Sequence, residues 1–201
     1  MMAKGRKKTY INQLRESDKK FATTLANCRY IQKSDLKAFG LSEKRLLNYQ
    51  RDNLVEQKVF YNKESKKDEV AYCLTGKGET FFRRNLNIEY FYSSTSISHD
   101  LKLKDFYLSL DEEKQARWIT ENEFKQMKND FLTDLKDTDS SRYYDLVEND
   151  SLSCTDGGYF DVELNTIVCV EVIGNYNKSH IEHKVEFVSV LGGGAWQCIM
   201  I

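Results

Sequence analysis

The chain has 201 residues, of which 40% are hydrophobic, 12% aromatic and 30% charged, with a formal net charge of −1. This composition excludes an intrinsically disordered chain, and no run of about 18 apolar residues marks a membrane span. Five cysteines (Cys28, Cys73, Cys154, Cys169, Cys198) are widely spaced, odd in number and without a C-x-x-C pair, which fits neither a disulfide framework nor a zinc site and predicts reduced, mostly buried thiols.

The small net charge conceals two parts of opposite sign. Residues 1–88 carry 20 Lys+Arg against 10 Asp+Glu, and residues 89–201 carry 10 against 21. Such a split predicts a nucleic-acid-binding part joined to an acidic part with another task. Its plainer alternative is two solvated faces. The beginning is basic (Lys4, Arg6, Lys7, Lys8) with no apolar segment after it, so a cytoplasmic protein is expected.

In residues 9–27, Tyr10, Leu14, Phe21 and Leu25 recur near a 3.6 period and predict one or two amphipathic helices. Ser34 opens a short helix that Gly40 ends as a left-handed cap. Ser42 then caps a longer helix over 43–55, with Leu46, Leu47 and Leu54 expected on one face and a cationic, polar face opposite. Residues 59–61 and 70–74 read as strands of a hairpin around the charged loop 62–69, and a last helix over 79–86 returns Phe81 and Phe82 to the preceding elements. The serine-rich stretch 87–98 separates an N-terminal domain (1–88) from an acidic second domain (98–201).

The second domain begins with helical zones at 98–110 and 118–135. It continues with strands at 143–147, 158–162, 166–172 and 195–201, with a helix at 178–187 before the last. The expected fold class is α+β, a small helical domain with a hairpin followed by a small α/β domain.

A short helix that braces a second one lets the second present its exposed side chains to the major groove. Lys44, Arg45, Asn48, Tyr49 and Arg51 are the candidates for that face, since Arg can bridge the acceptors of guanine and Asn can read adenine. Lys63, Lys66 and Lys67 at the hairpin tip, and the basic beginning as an arm, would meet phosphates. The segments Arg29-Tyr-Ile-Gln, Gly40-Leu-Ser-Glu-Lys-Arg-Leu and Tyr72-Cys-Leu-Thr-Gly-Lys-Gly-Glu resemble the helix, turn and wing of winged helix-turn-helix proteins. That resemblance implies double-stranded DNA as the partner. A winged fold used for protein contacts is the alternative.

In the second half, Asp156 precedes a glycine-bounded strand, Glu171 ends a hydrophobic strand fifteen positions on, and Lys178 and Lys184 follow in the next helix. Clustered carboxylates hold Mg²⁺ in nucleases, often beside a lysine. The set resembles the Asp…Glu-x-Lys core of the restriction-endonuclease-like superfamily, which implies catalytic roles for Asp156, Glu171 and either Lys178 or Lys184, and Mg²⁺ on Asp156 and Glu171. The whole chain also resembles the replication-relaxation proteins of plasmids and conjugative elements. Two departures count against catalysis: Ile173 stands where such a nuclease wants lysine, and Thr155 where it wants proline. The alternatives are a degenerate nuclease fold, or an unrelated α/β domain in which Asp156 caps a turn and the lysines are solvated. His180 and His183 lack a third zinc ligand, and Gly192-Gly-Gly lacks the Lys-Ser/Thr of a phosphate loop.

The expectation is therefore a DNA-binding protein of a plasmid, conjugative element or phage, acting at an origin or operator without a cofactor. Its second domain would dimerise or recruit a protein partner, and no membrane is involved. The alternatives are a Mg²⁺-dependent endonuclease and a protein-binding adaptor or inhibitor.

Overall fold

The computed structural model describes residues 9–94, 96–148, 151–174 and 178–201, so the basic arm Lys4, Arg6, Lys7 and Lys8 lies outside the described residues. The protein is mixed α+β and divides into two compact units, Met1–Leu101 and Lys102–Ile201. The division falls inside the helix Ile97–Ser109, after the serine-rich stretch.

In the first unit, α1 (Glu16–Cys28) is followed by a 3-10 turn (Lys33–Asp35) that runs into α2 (Leu36–Phe39). Gly40 ends α2 at φ +70°, a left-handed conformation that costs glycine little, and its N–H donates to the Lys37 carbonyl at 3.1 Å. Helix α3 (Glu43–Arg51) starts three residues later, with the Ser42 hydroxyl accepting from the Arg45 N–H. Strands β1 (Val55–Asn62) and β2 (Lys67–Leu74) pair antiparallel from Val55↔Leu74 to Asn62↔Lys67, and Ile31 adds an isolated bridge to Tyr72. The hairpin is longer than the apolar runs predict because β1 alternates half-buried and exposed positions through the polar residues Glu56, Gln57 and Lys58. Thr75 then caps α4 (Gly76–Leu86), its hydroxyl accepting from the Gly78 N–H at 3.0 Å.

Apolar side chains of α1, α2, α3 and α4 meet in one core. Phe21 stacks on Tyr49 at 5.0 Å, Phe39 meets Phe21 edge-on at 5.9 Å, and Phe82 lies 5.8 Å from Tyr49. Helix α4 closes this core only because it has no side chain at Gly78, where a Cβ would stand 2.0 Å from the Leu54 carbonyl oxygen. Gly78→Ala is expected to destabilise the unit by about 2 kcal/mol, since backbone must yield. Gly76→Ala meets nothing within 4 Å and is expected to be neutral or stabilising, alanine being the better helix former. Urea unfolding midpoints of the two variants check the contrast; equal midpoints would refute it.

Helix α5 (Ile97–Ser109) contains the division, and the second unit continues with α6 (Glu112–Ala116), β3 (Trp118–Thr120), α7 (Glu121–Thr138) and α8 (Ser140–Glu148). Then follow β4 (Gly157–Asp161), β5 (Thr166–Glu171), α9 (Lys178–Gly192) and β6 (Gln197–Met200). The sheet order is β3-β4-β5-β6, antiparallel except for the parallel pair β5–β6 that α9 connects. Two expectations are corrected. Residues 143–147 form helix α8 rather than a strand: Asp139 accepts from the Arg142 N–H, and Tyr143 and Leu146 turn to the core three positions apart while Tyr144 and Val147 face out. Residues 118–120 are a strand rather than helix, because Thr120 and Glu123 form a capping box that starts α7 behind them.

Phe124, Phe187 and Trp196 make the aromatic centre of this unit, with ring centroids 5.8–6.3 Å apart. All five cysteines are free thiols, four of them buried. Among the described residues no helix is long and apolar enough to cross a membrane.

Candidate functional site

Helix α3 presents one stripe outward. Lys44, Leu47, Asn48 and Arg51 stand at i, i+3, i+4 and i+7, where Lys44 and Arg51 are exposed, Asn48 half-buried and Leu47 51% exposed. The opposite side buries Leu46 and Tyr49. Three assignments of the sequence are corrected here. Tyr49 is fully buried, and its hydroxyl donates to Asp18 Oδ1 at 2.6 Å. Arg45 turns inward as well, giving Asp18 a two-pronged contact at 2.9 and 2.7 Å and the Gln13 carbonyl a third. Leu47, placed with the core leucines, faces out, because it lies one helical step of 100° from Leu46.

Asp18 is thus the anchor of α3. Burial alone would raise its carboxyl, but hydrogen bonds from Arg45, Tyr49 and the Arg15 N–H outweigh burial and hold it below the usual aspartate value. Arg51 lies over the Tyr10 ring at 5.3 Å, and the Tyr10 and Ile11 amides donate to Asp52, which closes α3. At the hairpin tip, Lys63, Lys66 and Lys67 are all exposed. Asn62 Oδ1 accepts from the Glu64 and Ser65 amides and shapes the turn, which Lys66 leaves at φ +55°.

In the second unit the antiparallel register of β4 and β5, with Gly157 opposite Val170, sets Asp156 and Glu171 at the same end of the sheet. The Asp156 N–H donates to Glu171 Oε2 at 3.2 Å, and the Val172 N–H to Asp156 Oδ2 at 2.8 Å. Lys184 of α9 completes the group: its ammonium lies 2.9 Å from Glu171 Oε2 and also donates to the Cys154 carbonyl. Lys178 does not join; it is exposed and pairs with Glu182 at 3.5 Å. Glu171 is 2% exposed and its Oε1 has no partner among the described residues. Burial, reinforced by the Asp156 charge and opposed by Lys184, pushes its carboxyl up to about 7. Among the described residues no cluster of three or more His, Cys, Asp or Glu side chains gathers as for a metal ion. His180 and His183 lie on α9, exposed and half-buried respectively, and His99 contacts Asp100 in the other unit.

Comparison with protein-family models, with curated proteins and with solved structures finds no match to this chain.

Proposed function

We propose that this chain is a duplex-DNA-binding protein of a mobile element, acting at an origin or operator. Its first unit works as a winged helix-turn-helix, with α3 as the recognition helix and the β1–β2 hairpin as the wing. The observation that carries this reading is the outward stripe of α3. A lysine, a leucine, an asparagine and an arginine share one face, held in place by buried contacts of Arg45 and Tyr49 to Asp18. Arg51 and Asn48 are the base-reading types, Leu47 suits a thymine methyl, and Lys44 and the tip lysines suit phosphates. The role at an origin or operator rests on the resemblance to replication-relaxation proteins.

Fluorescence anisotropy of the purified chain with random and native upstream duplexes, across salt, tests this. The double variant Lys44→Gln/Arg51→Gln is expected to bind more weakly by about 2 kcal/mol and, since of the two only Lys44 is placed on phosphate, to reduce the slope of log K against log salt by about one. Absence of salt-sensitive binding overturns the reading in favour of a protein-binding adaptor.

A second reading, a Mg²⁺-dependent endonuclease on a restriction-endonuclease-like fold, is favoured by the convergence of Asp156, Glu171 and Lys184. Mg²⁺ keeps several waters and is held through one or two carboxylates, so a two-carboxylate site with a buried, unpartnered oxygen suits it. When bound, the ion would supply an activated water and neutralise charge on a phosphodiester. Lys184 fixes Glu171, and the Val172 amide orients Asp156. Strand cleavage that requires Mg²⁺, and that Glu171→Gln abolishes while duplex binding persists, would establish this reading; intact duplex under all conditions ends it.

A further inference from the structure

The second unit is strongly acidic, with ten Lys+Arg against nineteen Asp+Glu over residues 102–201. Against that background one cleft is basic. It has a volume of about 410 Å³ and is lined by Lys125 and Lys128 of α7, the segment 152–154, and His180, His183 and Lys184 of α9, with Glu121 the one carboxylate along its wall among the described residues. Three of the unit's ten cations therefore share a single concavity with two imidazoles.

Its geometry favours an anion. Lys128 is held in place by donating to the Leu152 carbonyl at 3.1 Å, and Lys125 is half-exposed above, sharing Glu121 at 2.9 Å. The first turn of α9, a helix of fifteen residues, brings Ser179 and His180 to the same wall with the positive end of the helix dipole. Lys184 also lines the cleft and pairs with the buried Glu171, which accepts from the Asp156 N–H. Tetrahedral phosphate suits such a ring of ammonium and imidazole donors, and the space also admits the sugar attached to it.

We propose that this cleft binds a phosphate group of a nucleic-acid strand, held by Lys125, Lys128, His180 and His183. The nucleic-acid source rests on the DNA-binding reading above; the phosphate site rests on the cleft alone. The chain has three histidines, so their ring resonances in the NMR spectrum of the whole protein report each place separately, with His99 as the internal control. Titration with inorganic phosphate, and separately with a short single-stranded oligodeoxynucleotide, is expected to move the His180 and His183 signals and leave His99 in place. Lys125→Gln/Lys128→Gln is expected to weaken both titrations about tenfold, and Lys125→Gln alone, which alters an exposed side chain, to weaken them less without disturbing the fold. Still His180 and His183 signals with both probes overturn the proposal. A response to phosphate without one to the oligonucleotide also overturns it, replacing the strand by a small free phosphate compound. Loss of duplex binding by the Lys44→Gln/Arg51→Gln variant is measured independently, so the two readings fail separately.

Discussion

Replacing Asp18 with alanine is expected to cost the first unit about 3 kcal/mol, the order found when one partner of a buried ion pair is removed. The side chain is fully buried and accepts from Arg45, from the Tyr49 hydroxyl and from the Arg15 N–H that begins α1. Without it the Arg45 guanidinium, only 17% exposed, keeps the Gln13 carbonyl but loses its counter-charge, and the Tyr49 hydroxyl loses its acceptor inside the aromatic core. Glu16→Ala, an exposed acid two residues before it on α1, is the control and is expected to change stability by under about 0.5 kcal/mol. A cycle with Arg45→Met separates the pair from general damage: the double variant is expected to fall short of the sum of the singles by at least about 1 kcal/mol. Additive costs, or an Asp18→Ala variant within about 1 kcal/mol of the parent, would refute the anchoring role. Because the folded carboxyl lies below its unfolded value, its contribution is fully present above the unfolded value and is lost as pH falls through the folded one. The penalty of Asp18→Ala should therefore shrink in acid and persist at neutral pH.

The same residues show where the sequence was legible. Local signals were readable because their partners are close in sequence: Ser42 caps α3, Gly40 ends α2, and Thr75 caps α4. The facing of α3 was not readable, because periodicity cannot rank Leu47 against Tyr49 for the core. Their order is decided by Asp18, 31 residues away, which rewards a buried phenol and draws Arg45 inward. Helix α8 is hidden for a related reason, since Tyr143, Tyr144 and Val147 are strand formers whose preference yields to a cap at Asp139 and burial at Leu146. Asp156 and Glu171 were found because a short antiparallel pair brings residues fifteen apart to one sheet end. The choice of Lys184 over Lys178 depended on the phase of α9, which spacing leaves open. Lys125 and Lys128 carry a weaker signal: Glu121, Lys125 and Lys128 recur at i, i+4 and i+7, a stripe along α7 that marks one wall of the cleft.

The stability of the second unit is expected to fall as pH rises from about 4.5 to about 7, by about 3 kcal/mol from Glu171 alone. A carboxyl whose folded value exceeds its unfolded one binds its proton more tightly in the folded protein, so folding is favoured in acid. The advantage declines through this window and is absent above it. Burial is the first cause, since the ionised group must leave water with one oxygen unpartnered; the Asp156 charge adds to it and Lys184 offsets part of it. Glu171→Gln keeps the shape without the ionisation, so the difference in stability between parent and variant should change across this window and level off beyond it. The variant also leaves the Lys184 ammonium without its counter-charge, although the Cys154 carbonyl remains as acceptor. The attraction between that ammonium and the ionised carboxylate is already contained in the Glu171 midpoint, so the slope rather than the absolute stability identifies the group. Thermal unfolding of parent and variant at half-unit pH steps measures it, and the ¹³C carboxyl resonance of Glu171 should titrate with a midpoint near 7. Parallel stability profiles, together with a midpoint in the ordinary carboxylate range near 4.3, would mean that Glu171 is stabilised as an anion by Lys184, and that the pair is an ion pair at every pH at which the protein is folded.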